Sequence, residues 1–303
     1  MQSFYLDPIE GVHMHCRMWK PEEEARAIVQ IIHGVAEHID RYDSFARFLT
    51  AQGILVVGED HPGHGDTVTS DGIQGYMTGG WSGTVNCIHT LRRHIGAQYP
   101  DVPFFMLGHS MGSFLLRLYL FDSRCKIHGA VLSGTGWQPA ALLTAGRAVC
   151  SIEERRVGLR NVSDLLNTLM FGSYNKKFSP NRTTNDWLCT DHAVVDRYVN
   201  DPRCGFPATV QLCREMFGGL SQIQNMNNLK KMDRTVPVLF AAGTDDPVGN
   251  MGKGVLQTVR AFQKCCMQDV AVNLYPEMRH EILNEKAKIV VFNDILNWIL
   301  AKI

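Results

Sequence analysis

The chain has 303 residues, with 30 Lys+Arg against 30 Asp+Glu, so its formal net charge is zero. That length accommodates one large domain or two small ones. A composition of 45% hydrophobic and 20% charged residues is ordinary for a globular protein and excludes a disordered or collagen-like chain. The neutral balance lacks the basic footprint of a nucleic-acid binder, and no apolar run approaches the ~18 residues a membrane-spanning helix needs. The opening residues, MQSFYLDPIEG, show no basic stretch followed by an apolar one, so no classical signal peptide is expected. Nine cysteines, scattered from Cys16 to Cys266, then read as reduced thiols of a cytoplasmic protein, which leaves the sequons at Asn161 and Asn181 unused.

In chain order, residues 3–18 suggest an antiparallel hairpin turning at Pro8–Gly11. Six short apolar runs follow at 27–32, 54–57, 104–107, 129–132, 237–241 and 270–275, and each stops at Gly, Pro, Asp or a His-Gly or Ser-Gly step. They are too short for helices and do not alternate cleanly, which is how strands buried on both faces of a parallel sheet read. Helical patterns lie between them at about 39–52, 81–98, 111–122, 252–267 and 285–302. In the last, Asn284 is the expected N-cap, and Ile289, Phe292, Ile295, Leu296 and Ile299 the expected buried face. Strands alternating with helices imply right-handed βαβ units. The alternation breaks between Gly136 and about Asp233, where the sequence is helical or loop-like and rich in aromatics. Such a span is too long for a loop. It reads as a mainly helical cap subdomain (136–233) over the carboxyl edge of a sheet built by residues 1–135 and 234–303, where open α/β sheets bind ligands.

The motif that carries chemistry is Gly108-His109-Ser110-Met111-Gly112, a G-x-S-x-G directly after one apolar run and directly before a helical stretch. Strand, tight turn and helix are the context a nucleophile elbow requires. A serine hydroxyl needs a base, and the base an orienting carboxylate, in the chain order Ser, acid, His. Only His192 and His280 follow Ser110 by more than a helix length; His192 falls in the insertion, whereas His280 follows the last strand. The strand ending at AAGTDDPVG offers Asp245 and Asp246 for the acid, and Asp246 is preferred because Pro247 holds its backbone extended. An oxyanion hole needs two converging backbone N–H groups. Met111, after the nucleophile, supplies one, and Val35, in the His33-Gly34 loop, the other; His33 itself reads as structural.

Five segments, HGVAEHIDRY (33–42), EDHPGHGDT (59–67), GHSMGS (108–113), AGTDDPVG (242–249) and YPEMRHEILNE (275–285), resemble in order the monoacylglycerol lipase and lysophospholipase branch of the α/β-hydrolases, also described as the serine aminopeptidase type. The resemblance implies an α/β-hydrolase fold, a mostly parallel central sheet flanked by helices. It also places nucleophile, acid and base on Ser110, Asp246 and His280 and the oxyanion donors on Val35 and Met111, in agreement with the reading of the residues. FGSYNKKF (171–178) and YVNDPRCGF (198–206) are similar to insertion segments of bacterial members, and this alone brings Cys204 toward the substrate pocket. Thr67 stands where the family usually has Ser, Ser113 where many members have Gly, and Val35 where the lipases carry a smaller residue.

Other motifs weaken on inspection. GNMGKG (249–254) lacks the Ser/Thr after Lys253 that a phosphate loop needs. His280-Glu281 lacks the second His of a zinc HExxH, and His13, His15 and Cys16 make only a partial metal cluster. No cofactor or catalytic metal is expected. The expected activity is hydrolysis of a small-molecule carboxylic ester through an acyl-enzyme, with a medium or long acyl chain as in a monoacylglycerol or lysophospholipid. Most aromatics of the insertion are expected in its own core, with Phe171 and Trp187 on the substrate wall and transient contact with a membrane surface allowed. An amidase or aminopeptidase would use the same three residues and want carboxylates such as Glu153, Glu154 and Asp164 to hold an α-ammonium. A non-catalytic binding protein on this fold would have no reason to keep them.

Overall fold

A computed structural model describes all 303 residues. The chain opens with β1 (Gln2–Ile9) and β2 (Val12–Trp19), an antiparallel hairpin in which Ile9 pairs with Val12 across a two-residue turn. It continues through β3 (Ala27–Ile32), α1 (Asp43–Thr50), β4 (Ile54–Glu59), the short β5 (Val68–Thr69), α2 (Gly80–Gln98), β6 (Phe104–His109), α3 (Met111–Tyr119) and β7 (Gly129–Ser133). Five helices come next: α4 (Ala140–Val157), α5 (Asp164–Phe171), α6 (His192–Asn200), α7 (Val210–Ile223) and α8 (Met226–Leu229). The chain closes with β8 (Val238–Gly243), α9 (Lys253–Lys264), β9 (Val270–Tyr275) and α10 (Lys288–Leu300).

The sheet runs β1-β2-β4-β3-β6-β7-β8-β9, with β5 added to β2. Every pair from β4 to β9 is parallel, and only the β1, β2 and β5 pairings are antiparallel. β3, β4, β6, β7 and β8 bury all their residues, whereas β9, at the edge, fully buries only Tyr275. The continuous apolar runs have a direct cause, since alternate side chains enter two different layers. Ile28, Ile32, Phe104 and Met106 pack with residues of α2, α3, α7 and α9, while Val29, Ile31, Phe105 and Leu107 pack with those of α1 and α10. Helices on both faces leave no polar side for a period-two pattern to report.

This is the α/β-hydrolase architecture, with a mostly parallel sheet between helices. Residues 136–233 contribute no strand to it; their one β contact is an isolated bridge between Val162 and Thr209. The insertion is not a detached flap, because α7 buries Val210, Leu212, Met216 and Phe217 in the same core as α2 and α3. Two details of the last helix differ from expectation. It begins at Lys288 after Ala287, with no side-chain cap, and Asn284 instead donates to Glu281 Oε2 at 3.0 Å. Its buried face is Val291, Phe292, Ile295, Leu296 and Ile299; Ile289, in the first turn, is exposed.

Candidate active site

The parallel order brings the ends of β3, β6, β8 and β9 to one edge, so the loops holding Gly34–Glu37, Ser110, Asp246 and His280 meet there. Ser110 sits between β6 and α3 at φ 52°, ψ −120°, a conformation few non-glycine residues adopt. Its N–H donates to Ser133 O at 2.9 Å, and its own carbonyl accepts from Ser113 N (2.9 Å) and Ser113 Oγ (2.6 Å). The hydroxyl of Ser113, where glycine is common in the family, therefore helps hold the turn. A Cβ on Gly112 would collide with the carbonyl oxygen of Ile32, and one on Gly108 with that of Gly112. The two glycines are what allow helix, turn and neighbouring strand to approach so closely.

Ser110 and His280 line one cavity of about 510 Å³ together with Gly34, Val35, Glu37 and His109. His280 is buried, and its Nδ1 lies 3.0 Å from Asp246 Oδ1. The contact is short but bent, since Nδ1–H does not point straight at the oxygen. Such angles commonly tighten only when a substrate is bound. Burial disfavours the imidazolium of His280, but the facing Asp246 carboxylate outweighs it and raises the pKa above the usual histidine value. His109 packs its ring against His280 at 4.6 Å and has the opposite character. Burial, helped by the charge of His280, lowers its pKa to about 4, so it is neutral near pH 7.

Of the two adjacent aspartates, Asp246 is fully buried, faces His280 and accepts from Val248 N–H at 2.8 Å. Asp245 is half-buried, and its N–H donates to Met278 O. His192 is exposed at the start of α6. His33 lies buried under the loop, where Nε2 accepts from His61 N–H at 3.0 Å. The N–H groups of Val35 and Met111 meet no acceptor within the protein. By contrast, the N–H of Gly34, the residue before Val35, is taken by Glu37 Oε1 at 2.5 Å. Two free donors near Ser110 are what an oxyanion hole needs.

Glu37, Arg41 and Glu281 were not among the expected site residues. Arg41 Nη1 donates to Glu37 Oε2 (2.6 Å) and Glu281 Oε1 (2.7 Å), and Nη2 donates to Glu281 Oε2 (2.7 Å). Tyr42 Oη donates to Glu37 Oε1 at 2.9 Å. Glu281 directly follows His280, and Glu37 holds Gly34 N–H, so one guanidinium ties the Val35 loop to the His280 loop. The i,i+4 spacing of Glu37 and Arg41 is visible in the sequence. The Glu281 partner, 240 positions away, is not.

Phe171 and Trp187 both line the cavity that holds Ser110. Trp187 also packs its indole against His280, with ring centroids 5.1 Å apart. Phe171 is shared with a neighbouring cavity of about 620 Å³ lined mostly by hydrophobic residues, among them Phe114, Leu143, Met216 and Phe217. Cys204 is a correction. It does not line the Ser110 cavity; it packs with Leu188, Cys189, Val195 and Tyr198 and opens on a separate cleft. Its neighbours Gly205 and Phe206 line the cavity in its place, because the chain turns there and directs the thiol away. Glu153 and Glu154 are bound to Arg156 and Arg214, whereas Asp164 lines the cavity. His13 pairs with Asp7, and His15 is held by Ser3 and Asp60, while Cys16 joins the core, so the three do not converge.

The sequence pattern described as "Serine aminopeptidase, S33" matches residues 23–287. The monoglyceride lipase homolog of Monkeypox virus is 36% identical, over 97% of this chain and 97% of its own. The monoacylglycerol lipase of Mycolicibacterium smegmatis is 28% identical, over 97% of this chain and 95% of its own. Among solved structures, a thermostable carboxyl esterase from Bacillus coagulans superposes with a TM-score of 0.91 at 27% identity, covering 99% of this chain and 98% of that one.

Proposed function

Because this chain belongs to the serine aminopeptidase S33 family of α/β-hydrolases, we propose that it acts through Ser110, His280 and Asp246 as nucleophile, base and orienting acid. It is a carboxylic-ester hydrolase of monoacylglycerol-like substrates. The observation that carries the assignment of residues is one cavity lined both by Ser110, at a strained elbow, and by a buried His280 whose Nδ1 lies 3.0 Å from Asp246.

Ser110 Oγ attacks the acyl carbonyl while His280 takes its proton, and Asp246 stabilises the imidazolium that forms. The free N–H groups of Val35 and Met111 receive the developing oxyanion. His280 then protonates the departing alcohol and afterwards activates the water that releases the acid. The Ser110 cavity, with Glu37, Asp164, Asn167 and Glu281 on its wall, suits a hydroxyl-bearing alcohol. The apolar cavity beyond Phe171 suits the acyl chain, each buried CH₂ contributing about 0.8 kcal/mol. Residues 136–233 act as the cap over both cavities. Exposed Leu142, Leu165 and Leu169 on that cap fit uptake of substrate from a lipid surface. The nine unpaired thiols fit a reducing, cytoplasmic compartment.

The test is hydrolysis of monoacylglycerols and lysophospholipids of graded chain length by wild type and Ser110→Ala, with fluorophosphonate labelling alongside. The proposal expects labelling that depends on Ser110, and a kcat/KM that rises with chain length until the apolar cavity is full. Turnover by Ser110→Ala above about a hundredth of wild type removes Ser110 from its role. A wild-type preference for acetate esters removes the long-chain substrate.

A further inference from the structure

Close to the Val35 loop, sharing Tyr198 with the Ser110 cavity, lies a cleft of about 300 Å³ whose wall includes His38, Asp201 and Cys204. One donor atom from each of these three lies within 4.8 Å of the other two. His38 is 3% and Cys204 8% exposed. His38 Nε2 meets Asp201 Oδ2 at 2.9 Å, while its Nδ1, also buried, has no partner. With Nε2–H donating to the Asp201 carboxylate, Nδ1 of the neutral ring is a buried acceptor with no donor, which is costly.

The chemistry of the three donors is specific. Imidazole, carboxylate and thiolate together suit zinc(II) and related borderline metals, and a sulfur donor argues against calcium or magnesium. Arg41, on the wall of the cleft, is held by Glu37 and Glu281. Arg203 bonds Asp40 and Asp66 and also lies 3.5 Å from Asp201 Oδ1, a contact that a bound ion competes with. Arg197 is exposed and Lys288 half-buried, both long side chains able to swing into water. Asp201 keeps its carboxylate for His38 and the backbone N–H of Arg203.

The same loops bear on the catalytic edge. Gly205, next to Cys204, donates its N–H to Ala36 O at 2.9 Å. Ala36, itself at φ 53°, adjoins Val35, and His38 follows two residues later. Drawing His38, Asp201 and Cys204 onto one ion therefore pulls both ends of the tether that sets the Val35 N–H.

We propose that His38, Asp201 and Cys204 form a binding site for a zinc(II)-class ion, and that filling it inhibits ester hydrolysis by shifting the Val35 loop. Binding exchanges the Cys204 thiol proton, released to solvent, for a sulfur–metal bond, with no change of oxidation state. The inhibitory half rests on the proposed role of Val35; the binding half does not.

The test uses the intact protein freed of metal and titrated with Co²⁺, then Zn²⁺. Wild type is expected to bind one Co²⁺ with a thiolate-to-cobalt charge-transfer band, which Zn²⁺ displaces. Cys204→Ser is expected to lose that band, and both it and Asp201→Asn to bind Zn²⁺ at least about tenfold more weakly by calorimetry. Replacing the exposed Cys266 (Cys266→Ser) is expected to change neither. Circular dichroism and melting temperature establish that each variant is folded, and Asp201→Asn decides if Cys204→Ser is not. Absence of the band in wild type, or its survival in folded Cys204→Ser, overturns the site. Zinc inhibition of equal potency in wild type and Cys204→Ser overturns the regulatory half, since the ion would then act elsewhere. Fluorophosphonate labelling of Ser110 without metal keeps these outcomes separate from failure of the catalytic assignment.

Discussion

The indole of Trp187 lies against the imidazole of His280, 5.1 Å between ring centroids and inclined by 37°. His280 N–H also points to Trp187 O at 3.5 Å, and Glu281 N–H donates to Leu188 O at 2.8 Å. A side chain of the insertion thus forms part of the seat of the base. The two aromatics expected on the substrate wall therefore have different duties.

Phe171 divides the two cavities without being paired to His280. Phe171→Ala is expected to move the preferred acyl length while acetate esters react nearly as before. Trp187→Ala is expected to lower kcat for acetate and long-chain esters alike, on the order of tenfold or more, because the base loses its lateral support. Trp187→Phe, which keeps a ring, should recover most of it. An ester series measured on the three variants separates the duties; equal losses in Phe171→Ala and Trp187→Ala on acetate refute the distinction.

Arg41 is expected to matter for stability as much as for rate. Removing it leaves Glu37 and Glu281 buried without their shared cation, a cost of about 3–5 kcal/mol for a broken buried pair. Urea denaturation of Arg41→Ala should show that loss. Arg41→Lys keeps the charge but not the two-pronged geometry, and should fall between the two. A loss within about 0.5 kcal/mol for Arg41→Ala would mean that the clamp holds nothing.

The pH profile follows from His280. In the proposed mechanism His280 must be neutral to take the Ser110 proton, and Asp246 raises its pKa above the usual histidine value. kcat/KM should therefore fall on acidification, with its midpoint above that value. In Asp246→Asn the raising charge is gone and burial remains, so the residual activity should be very small and its acid limb displaced to lower pH. Asp245→Asn should keep both the rate and the limb, because Asp245 does not face His280. Similar losses in both variants would leave the acid unassigned.

Gly134 offers a test that changes none of the reacting side chains themselves. It has φ 57°, and a Cβ there would lie 2.9 Å from Cε1 of His280 and 3.1 Å from Cε1 of His109. Gly134→Ala is expected to displace the His280 ring, lowering kcat by a larger factor than the roughly 1–2 kcal/mol of backbone strain lowers stability. A variant with wild-type kcat would show that the ring has room to spare.

The sequence by itself determined the parallel sheet, because strands buried on both faces must be apolar throughout, and 27–32, 104–107 and 129–132 could be little else. It also determined the elbow, since a turn that tight between β6 and α3 admits only glycine at 108 and 112, and these bracket a lone serine. The preference for Asp246 over Asp245 rested on the constraint that Pro247 places on its neighbour, whereas the 3.0 Å approach of Asp246 to His280 is a matter of tertiary structure. What the sequence left open depended on contacts between distant segments. No local pattern says that Glu281 shares Arg41 with Glu37, that Trp187 rests on His280, or that Cys204 turns from the Ser110 cavity toward His38 and Asp201. Those pairings are fixed by which loops the sheet order brings to one edge and by how α7 anchors the insertion over them. Side-chain direction there is set by packing in three dimensions, which leaves no periodic trace along the chain.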